Sequence, residues 1–268
     1  MIIDFHTHTF PDKIAAKALR GLSETANGVL PHTDGTEAGL RASMRENGID
    51  YSVVMPVATA AHQVEGINNN AIAVNGTDGL WSFGAMHYEY TDYQKELRRI
   101  KDAGLKGIKL HHDYMQLRFD DRRSIEIMQE AFRLGLLVLI HAGNDPVSPD
   151  VHYCTPKMIH DVLPELQKNL LIASHYGGLM NMDEVEEYLM GEDIYIDTSM
   201  AHHYYGLERL RNILTHHPSD RILFGSDSPW ENQGTSLRLL KSMSLSDELI
   251  RKITWDNPAR LLGISRKI

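Results

Sequence analysis

The sequence predicts a closed (β/α)8 barrel, an α/β fold in which helices surround eight parallel strands. Eight short apolar runs alternate with eight stretches of helical hydrophobic spacing, as in folds built from repeated strand–helix units. No Gly-rich phosphate-binding loop follows the first run, which disfavours an open doubly wound sheet. The length of 268 residues suits one barrel domain. We therefore expect a single domain over residues 1–268.

The predicted strands are continuous segments rich in Val, Ile and Leu, as expected of parallel strands buried on both faces. They comprise 2–8, 49–55, 81–86, 105–110, 136–141, 170–175, 194–199 and 222–227. The predicted helices comprise 35–47, 64–76, 92–103, 123–134, 155–168, 183–190, 206–217 and 234–243. Several of these helices end at Gly or Asn, which favour left-handed C caps.

Two segments exceed the strand–helix repeat. Residues 11–34 follow the first strand and are predicted to form an insertion that is a candidate lid. Residues 244–263 are predicted to add an extra C-terminal helix. Both additions leave the eight-unit barrel intact.

Composition restricts the classes of partner and compartment. The net charge of -9 argues against a broad nucleic-acid surface and favours a small-molecule substrate. No apolar stretch reaches the roughly 18–20 residues that span a bilayer, and the N-terminus lacks a signal-peptide pattern. The single cysteine, Cys154, fits a reducing compartment. We expect a cytoplasmic protein without membrane contacts. Assembly into a homo-oligomer is compatible with the sequence.

Residues suited to metal binding or catalysis lie at the ends of five predicted strands. His6 and His8 end the first strand, where alternate residues point to the same side about 6–7 Å apart. The later strands contribute Lys109, His141, His175 and Asp227. Because the ends of parallel strands share one barrel mouth, these groups would converge. Burying them without a shared partner is costly, so the pattern predicts a metal.

The donor set indicates the kind of metal and of site. Imidazole nitrogen and carboxylate oxygen suit zinc, with manganese and iron as alternatives, whereas calcium prefers oxygen ligands. The donors are not a closed set of four cysteines, so we expect one coordination position of the metal to be left for water or substrate. Such an open position is typical of a catalytic site. Lys109, His111, Tyr114 and Trp230 are candidate substrate contacts in and after strands four and eight. The alternative from a different class of function is a non-catalytic barrel that binds a ligand or a metal.

These residues, in this order, resemble the amidohydrolase superfamily of metal-dependent (β/α)8 barrels. The segments DFHTH, GIKLHHDY, HAGNDP, SHYGG, YIDTS, FGSDSPW and NPARLLG are most similar to the amidohydrolase 2 branch, which contains nonoxidative decarboxylases and lactone hydrolases. In single-metal members, the resemblance implies that His6, His8, His141 and Asp227 bind the metal. His175 would then act as a general acid or base over the open coordination position.

In two-metal members, the resemblance implies that His175 binds a second ion and that a carboxylated Lys109 bridges the pair. The sequence is therefore compatible with either one metal ion or two. Carboxylation needs an uncharged amine. We favour a charged Lys109 that orients a substrate carboxylate or pairs with Asp227.

The expected reaction is hydrolysis of an ester, lactone or amide in a small, carboxylated substrate. Metal-activated water would attack, and Asp227 would take its proton and pass it to the leaving group. The alternative is nonoxidative decarboxylation of a small aromatic or unsaturated acid by the same residues. The fold and the metal ligands do not distinguish hydrolysis from decarboxylation, because the βα loops shape the substrate pocket.

Overall fold

The computed structural model describes residues 1–26 and 28–265. Among these residues it contains nine short strands: β1 (Ile3–Thr7), β2 (Tyr51–Val54), β3 (Leu80–Ser82), β4 (Gly84–Ala85), β5 (Gly107–Leu110), β6 (Leu137–Ile140), β7 (Leu171–Ala173), β8 (Tyr195–Asp197) and β9 (Ile222–Leu223). β3 and β4 are two halves of one predicted strand, interrupted at Phe83. All eight predicted strand positions are therefore occupied.

Every strand pairing is parallel, in the orders β1-β2-β3 and β4-β5-β6-β7-β8-β9. Backbone hydrogen bonds then link β1 to the segment that follows β9: Phe5 N–H donates to Phe224 O over 2.7 Å, and His8 N–H donates to Ser228 O over 2.6 Å. These bonds join the first and last strands, as the predicted (β/α)8 barrel requires.

Helices follow the strands as the sequence predicts. They are α1 (Asp12–Thr25), α2 (Glu37–Asn47), α3 (Val64–Val74), α4 (Tyr93–Asp102), α5 (His112–Met115), α6 (Arg122–Arg133), α7 (Pro156–Val162), α8 (Met182–Glu184), α9 (Leu207–His216), α10 (Gln233–Ser242), α11 (Asp247–Arg251) and α12 (Asn257–Leu262). Thr36 caps α2 by accepting Gly39 N–H over 3.0 Å. Gly48 ends that helix at a φ of 67°, which glycine adopts without steric cost.

The barrel interior and the helix layer have separate cores. One buried cluster joins alternate strand residues such as Phe5, Val53, Phe83 and Leu139. Larger clusters pack the opposite strand faces against the helices, for example at Ile108. Successive side chains of a strand point to opposite faces, so each strand serves both cores. Lys109 lies between two residues of the outer core and lines the central cavity.

The two additions to the repeat have clear structures. The insertion after β1 contains α1, whose buried face includes Ala15 and Leu19. The predicted single C-terminal helix is instead α11, a π-helical segment over Lys252–Asp256 and α12 in succession. Trp255 belongs to the same buried cluster as the interior strand residues. Within 1–26 and 28–265, none of the helices combines the length and apolarity needed to cross a membrane.

Candidate metal centre

The two histidines at the end of β1 lie side by side. Their Nε2 atoms are 3.2 Å apart. His8 Nδ1 contacts the carbonyl oxygen of Met55 at 2.7 Å, and His6 Nδ1 contacts Oδ2 of Asp197 at 2.8 Å. Both of these oxygens accept, so both Nδ1 atoms donate. A neutral imidazole that donates through Nδ1 keeps a lone pair on Nε2, and this pair suits a metal.

Asp227 completes a compact set of three donor atoms. Its Oδ1 lies 2.9 Å from Nε2 of His8 and 3.4 Å from Nε2 of His6. Burial alone would raise the pKa of Asp227, but the nearby histidines, including His175, outweigh it and hold that pKa well below its usual range. Asp227 N–H also donates to His6 O over 2.8 Å, which ties the two loops together. Three predicted ligands are thus brought together.

Asp197 orients His6 and was missed in the sequence. It is the last residue of β8 and is fully buried. Besides His6, it accepts the backbone N–H of His175 over 2.9 Å and the hydroxyl of Ser199 over 2.5 Å. Burial would raise the pKa of Asp197, but the interaction with His6 outweighs burial and holds that pKa well below its usual range. Its strand-end position in YIDTS was the signal that could have identified it.

The remaining two histidines form a hydrogen-bonded pair. Ser199 Oγ lies 2.8 Å from Nδ1 of His175 and accepts its proton, because the hydroxyl proton goes to Asp197. Nε2 of His175 in turn accepts from Nδ1 of His141 over 3.1 Å. Burial lowers the pKa of both histidines, so both are neutral. Among the described residues, the buried Nε2 of His141 has no hydrogen-bond partner.

His141 lies beside the His6–His8–Asp227 set. The three donors of that set lie within 4.8 Å of one another, while His141 groups at this distance with His111 and Asp145. The rings of His141 and His111 stack with centroids 4.3 Å apart. Asp145, which the sequence analysis also missed, has Oδ2 at 3.6 Å from Nε2 of His141. Its position four residues after His141, in HAGNDP, was the available signal.

Lys109 lies between the two groups of histidines. Its Nζ is 3.4 Å from Nε2 of His6, and its side chain is buried. Burial lowers the pKa of Lys109 from 10.5 to about 8. Both the charged amine and the uncharged amine are therefore accessible near neutral pH.

A cavity of about 550 Å³ contains every predicted site residue. Its polar floor consists of His6, His8, Lys109, His111, His141, Asp145, His175 and Asp227, with Tyr114 and Trp230 also lining it. Its outer wall is mostly apolar: the insertion contributes Ile14, Ala18, Leu22 and Val29, and other loops contribute Val57, Ile67, Leu179 and Met200, together with the polar residues Thr59, Gln63 and Asn70. The volume lies in the usual range of small-molecule sites, roughly 300–1,000 Å³.

The family model described as Amidohydrolase (Amidohydro_2) matches residues 3–264. The chain belongs to the amidohydrolase family. The resemblance inferred from the strand-end residues is thereby confirmed. No curated protein sequence matches this amidohydrolase.

Solved structures of similar fold include enzymes named for two kinds of reaction. A 2,6-dihydroxybenzoate decarboxylase, complexed with 2,6-dihydroxybenzoate, matches with a TM-score of 0.73 and 16% identity over 98% of this chain and 99% of its own. A 5-carboxyvanillate decarboxylase from Novosphingobium aromaticivorans, complexed with manganese, matches at 0.72 and 12% over 98% and 96%. A proposed 2-pyrone-4,6-dicarboxylic acid hydrolase from Pseudomonas putida matches at 0.67 and 16% over 99% and 98%. At these identities the matches establish the fold.

The residues of this amidohydrolase fit the divalent metal on which the family depends. Two Nε2 atoms face each other across 3.2 Å with both Nδ1 protons directed away, an arrangement that a cation between them would satisfy. Asp227 adds a negative oxygen at the same point. The unpartnered Nε2 of His141 supplies a further imidazole donor beside the set. Imidazole and carboxylate donors match zinc, manganese or iron.

Proposed function

We propose that this amidohydrolase is a metal-dependent hydrolase that cleaves an ester, lactone or amide bond in a small substrate with an apolar body. The convergence of His6, His8 and Asp227 at the floor of an apolar-walled cavity supports this function most directly. Zinc is the proposed ion, held by these three residues with His141 as the fourth protein ligand. When bound, the metal lowers the pKa of water from 15.7 towards about 7 and makes it nucleophilic at neutral pH.

The protein side chains then divide the proton transfers. Asp227 is ionised and accepts a proton from the attacking water, and it passes the proton to the leaving group. His175 is held by Ser199 and Asp197, so its ring keeps one orientation, and its Nε2 would exchange the bond to His141 for one to the reacting group. The precise placement of such groups accounts for much of the rate enhancement of enzymes.

The cavity lining supports a substrate with a carboxylate and an apolar body. Among the described residues that line it, Lys109 is the only Lys or Arg. Lys109 lies at the polar floor, where its ammonium group would pair with a substrate carboxylate. The rest of the substrate would contact Leu22, Val57 and Met200, which favour an aliphatic or aromatic body.

Nonoxidative decarboxylation is the second candidate function. Two of the structural neighbours are named as decarboxylases of hydroxylated aromatic acids. A substrate of this type would place its carboxylate and adjacent hydroxyl at the metal, and a protonated side chain on the cavity floor would donate to the ring carbon. The net reaction releases carbon dioxide and adds no water.

One experiment separates these functions. Metal-replete protein is incubated in ¹⁸O-labelled water with matched panels of lactones, esters and amides that carry apolar groups, and with hydroxylated aromatic acids. We expect one ¹⁸O atom in the acid product and no carbon dioxide. Carbon dioxide release without ¹⁸O incorporation would instead establish decarboxylation. Asp227→Asn is the control for activity that originates at this site, because it removes the proposed base while keeping the side-chain shape.

A further inference from the structure

A second cluster of potential metal ligands lies at the rim of the barrel mouth, apart from the catalytic set. It consists of His202 and His203, in the loop after β8, and Glu231, in the loop after β9. Nε2 of His202 lies 2.9 Å, and Nε2 of His203 2.8 Å, from the same Glu231 oxygen, Oε2. We propose that this rim cluster is a second binding site for a zinc ion, distinct from the cavity floor.

The burial of Glu231 supports a cation at this position. Its side chain is only 4% exposed, although it carries a carboxylate. Oε1 accepts the backbone N–H of Asn232 over 2.6 Å, which leaves Oε2 to face the two histidines. A carboxylate buried to this degree is costly unless a positive partner lies beside it.

Two positively charged histidines at this position would be unfavourable. Their ring centroids are 4.0 Å apart, so two imidazolium rings would repel each other strongly. Neutral rings avoid the repulsion but leave the Glu231 charge uncompensated. One divalent ion between two neutral imidazoles and the carboxylate satisfies both conditions. Two nitrogen donors and one oxygen donor favour zinc over calcium or magnesium, which prefer oxygen ligands.

The rim site is also accessible and connected to the insertion. The His203 side chain is 46% exposed and gives an entry path to the ion. From the other side, His32 of the insertion lies with Nε2 at 3.8 Å from Oε1 of Glu231. His32 N–H donates to Pro229 O over 2.7 Å, which holds this part of the insertion against the loop after β9. Zinc at the rim would therefore fasten the insertion, whose helix α1 lines the cavity, to the barrel mouth.

The experiment measures zinc binding in variants that isolate the two sites. Zinc is titrated against a chromophoric chelator in wild type, H6A/H8A, H202Q/H203Q and the quadruple variant. We expect H202Q/H203Q to bind one equivalent fewer than wild type, and H6A/H8A to keep the equivalent that the quadruple variant loses. His216→Gln is the matched control, because it removes an exposed histidine of another adjacent pair whose Nδ1 contacts the backbone oxygen of Asn212. It should bind as wild type does.

A structural readout tests the connection to the insertion. In H6A/H8A, zinc should slow hydrogen exchange over residues 28–36, and adding H202Q/H203Q should abolish that effect. His32→Gln should weaken rim binding by about tenfold or more, as loss of a metal-site partner does elsewhere. Unchanged stoichiometry and affinity in a folded H202Q/H203Q protein would overturn the proposal. A failure of the cavity site is distinguishable, since wild type and H6A/H8A would then bind equally.

Discussion

The role of Asp197 provides the sharpest test of the metal centre, because it acts on the ligands without being one of them. Asp197→Asn keeps the side-chain shape but replaces one oxygen with an NH₂ donor. If the amide oxygen keeps the contacts to the His175 N–H and to Ser199, the NH₂ group faces Nδ1 of His6. Two donors then meet unless the His6 proton moves to Nε2, the atom proposed to bind the metal.

The expected loss follows from one charge-assisted hydrogen bond. Such bonds contribute about 1.5–3 kcal/mol, which corresponds to roughly 10- to 150-fold in a dissociation constant. Substitutions of groups that orient metal-bound histidines cost about 10- to 100-fold in metal affinity or activity. We therefore expect Asp197→Asn to weaken zinc binding by about 10- to 100-fold, with a parallel loss of activity at limiting zinc.

The assay is a competition titration with a chromophoric chelator, made in the H202Q/H203Q background so that only the cavity site contributes. Asp193→Asn is the control, because Asp193 is 62% exposed and its carboxylate pairs only with Arg221 in the described structure. Thermal unfolding verifies that both variants are folded. A folded Asp197→Asn protein whose zinc affinity stays within about twofold of its parent would refute the assignment of the His6 tautomer.

Three further predictions concern the lysine, the metal and the core. Because burial lowers the pKa of Lys109 to about 8, KM for a carboxylate substrate should rise as pH increases through that value, and Lys109→Arg should move the rise to higher pH. Chelation should abolish activity and lower Tm by about 5–10 °C, as expected when zinc at about 100 times its Kd is withdrawn. Phe83→Ala should cost about 3–5 kcal/mol in denaturant unfolding, whereas Leu30→Ala, at a position 74% exposed, should change stability by less than about 0.5 kcal/mol.

Most of the candidate site that could be predicted came from the order of the polar residues at the strand ends. Apolar runs identified all eight strand positions, and the shared mouth of a parallel barrel brought His6, His8 and Asp227 together as expected. The break at Phe83 was not predictable, because local sequence there continues a strand pattern while the pairing partners change from β2 to β5.

Other site residues were missed because their partners lie in other segments of the chain. Asp197 and Asp145 are single carboxylates whose partners lie far along the chain or across a turn. His202 and His203 became meaningful only when the loops after β8 and β9 placed Glu231 beside them. A strand fixes the direction of its side chains through a period of two, whereas a loop has no such period. Histidines and carboxylates at the ends of predicted strands could therefore be identified as a set, whereas the residues of the later loops could not.

Asp4 shows how the barrel sets the relative position of ligands from different strands. This buried carboxylate accepts the backbone N–H of His6 over 3.3 Å. It also accepts the hydroxyl of Ser226, which follows the last strand of the barrel, over 2.6 Å. Burial raises the pKa of Asp4 from 3.8 to about 6. The native state therefore favours its protonated form, and the stability that it contributes below pH 3.8 is lost as pH rises through about 6.

That loss amounts to roughly 3 kcal/mol at neutral pH, since each pKa unit corresponds to about 1.36 kcal/mol. An apolar residue at position 4 would avoid the penalty but could not bond to both segments. The carboxylate connects the backbone of one proposed ligand, His6, to the residue directly before another, Asp227. A buried charge that destabilises the fold at working pH, yet joins two ligand-bearing segments, is best explained by the demand for fixed geometry at the metal centre.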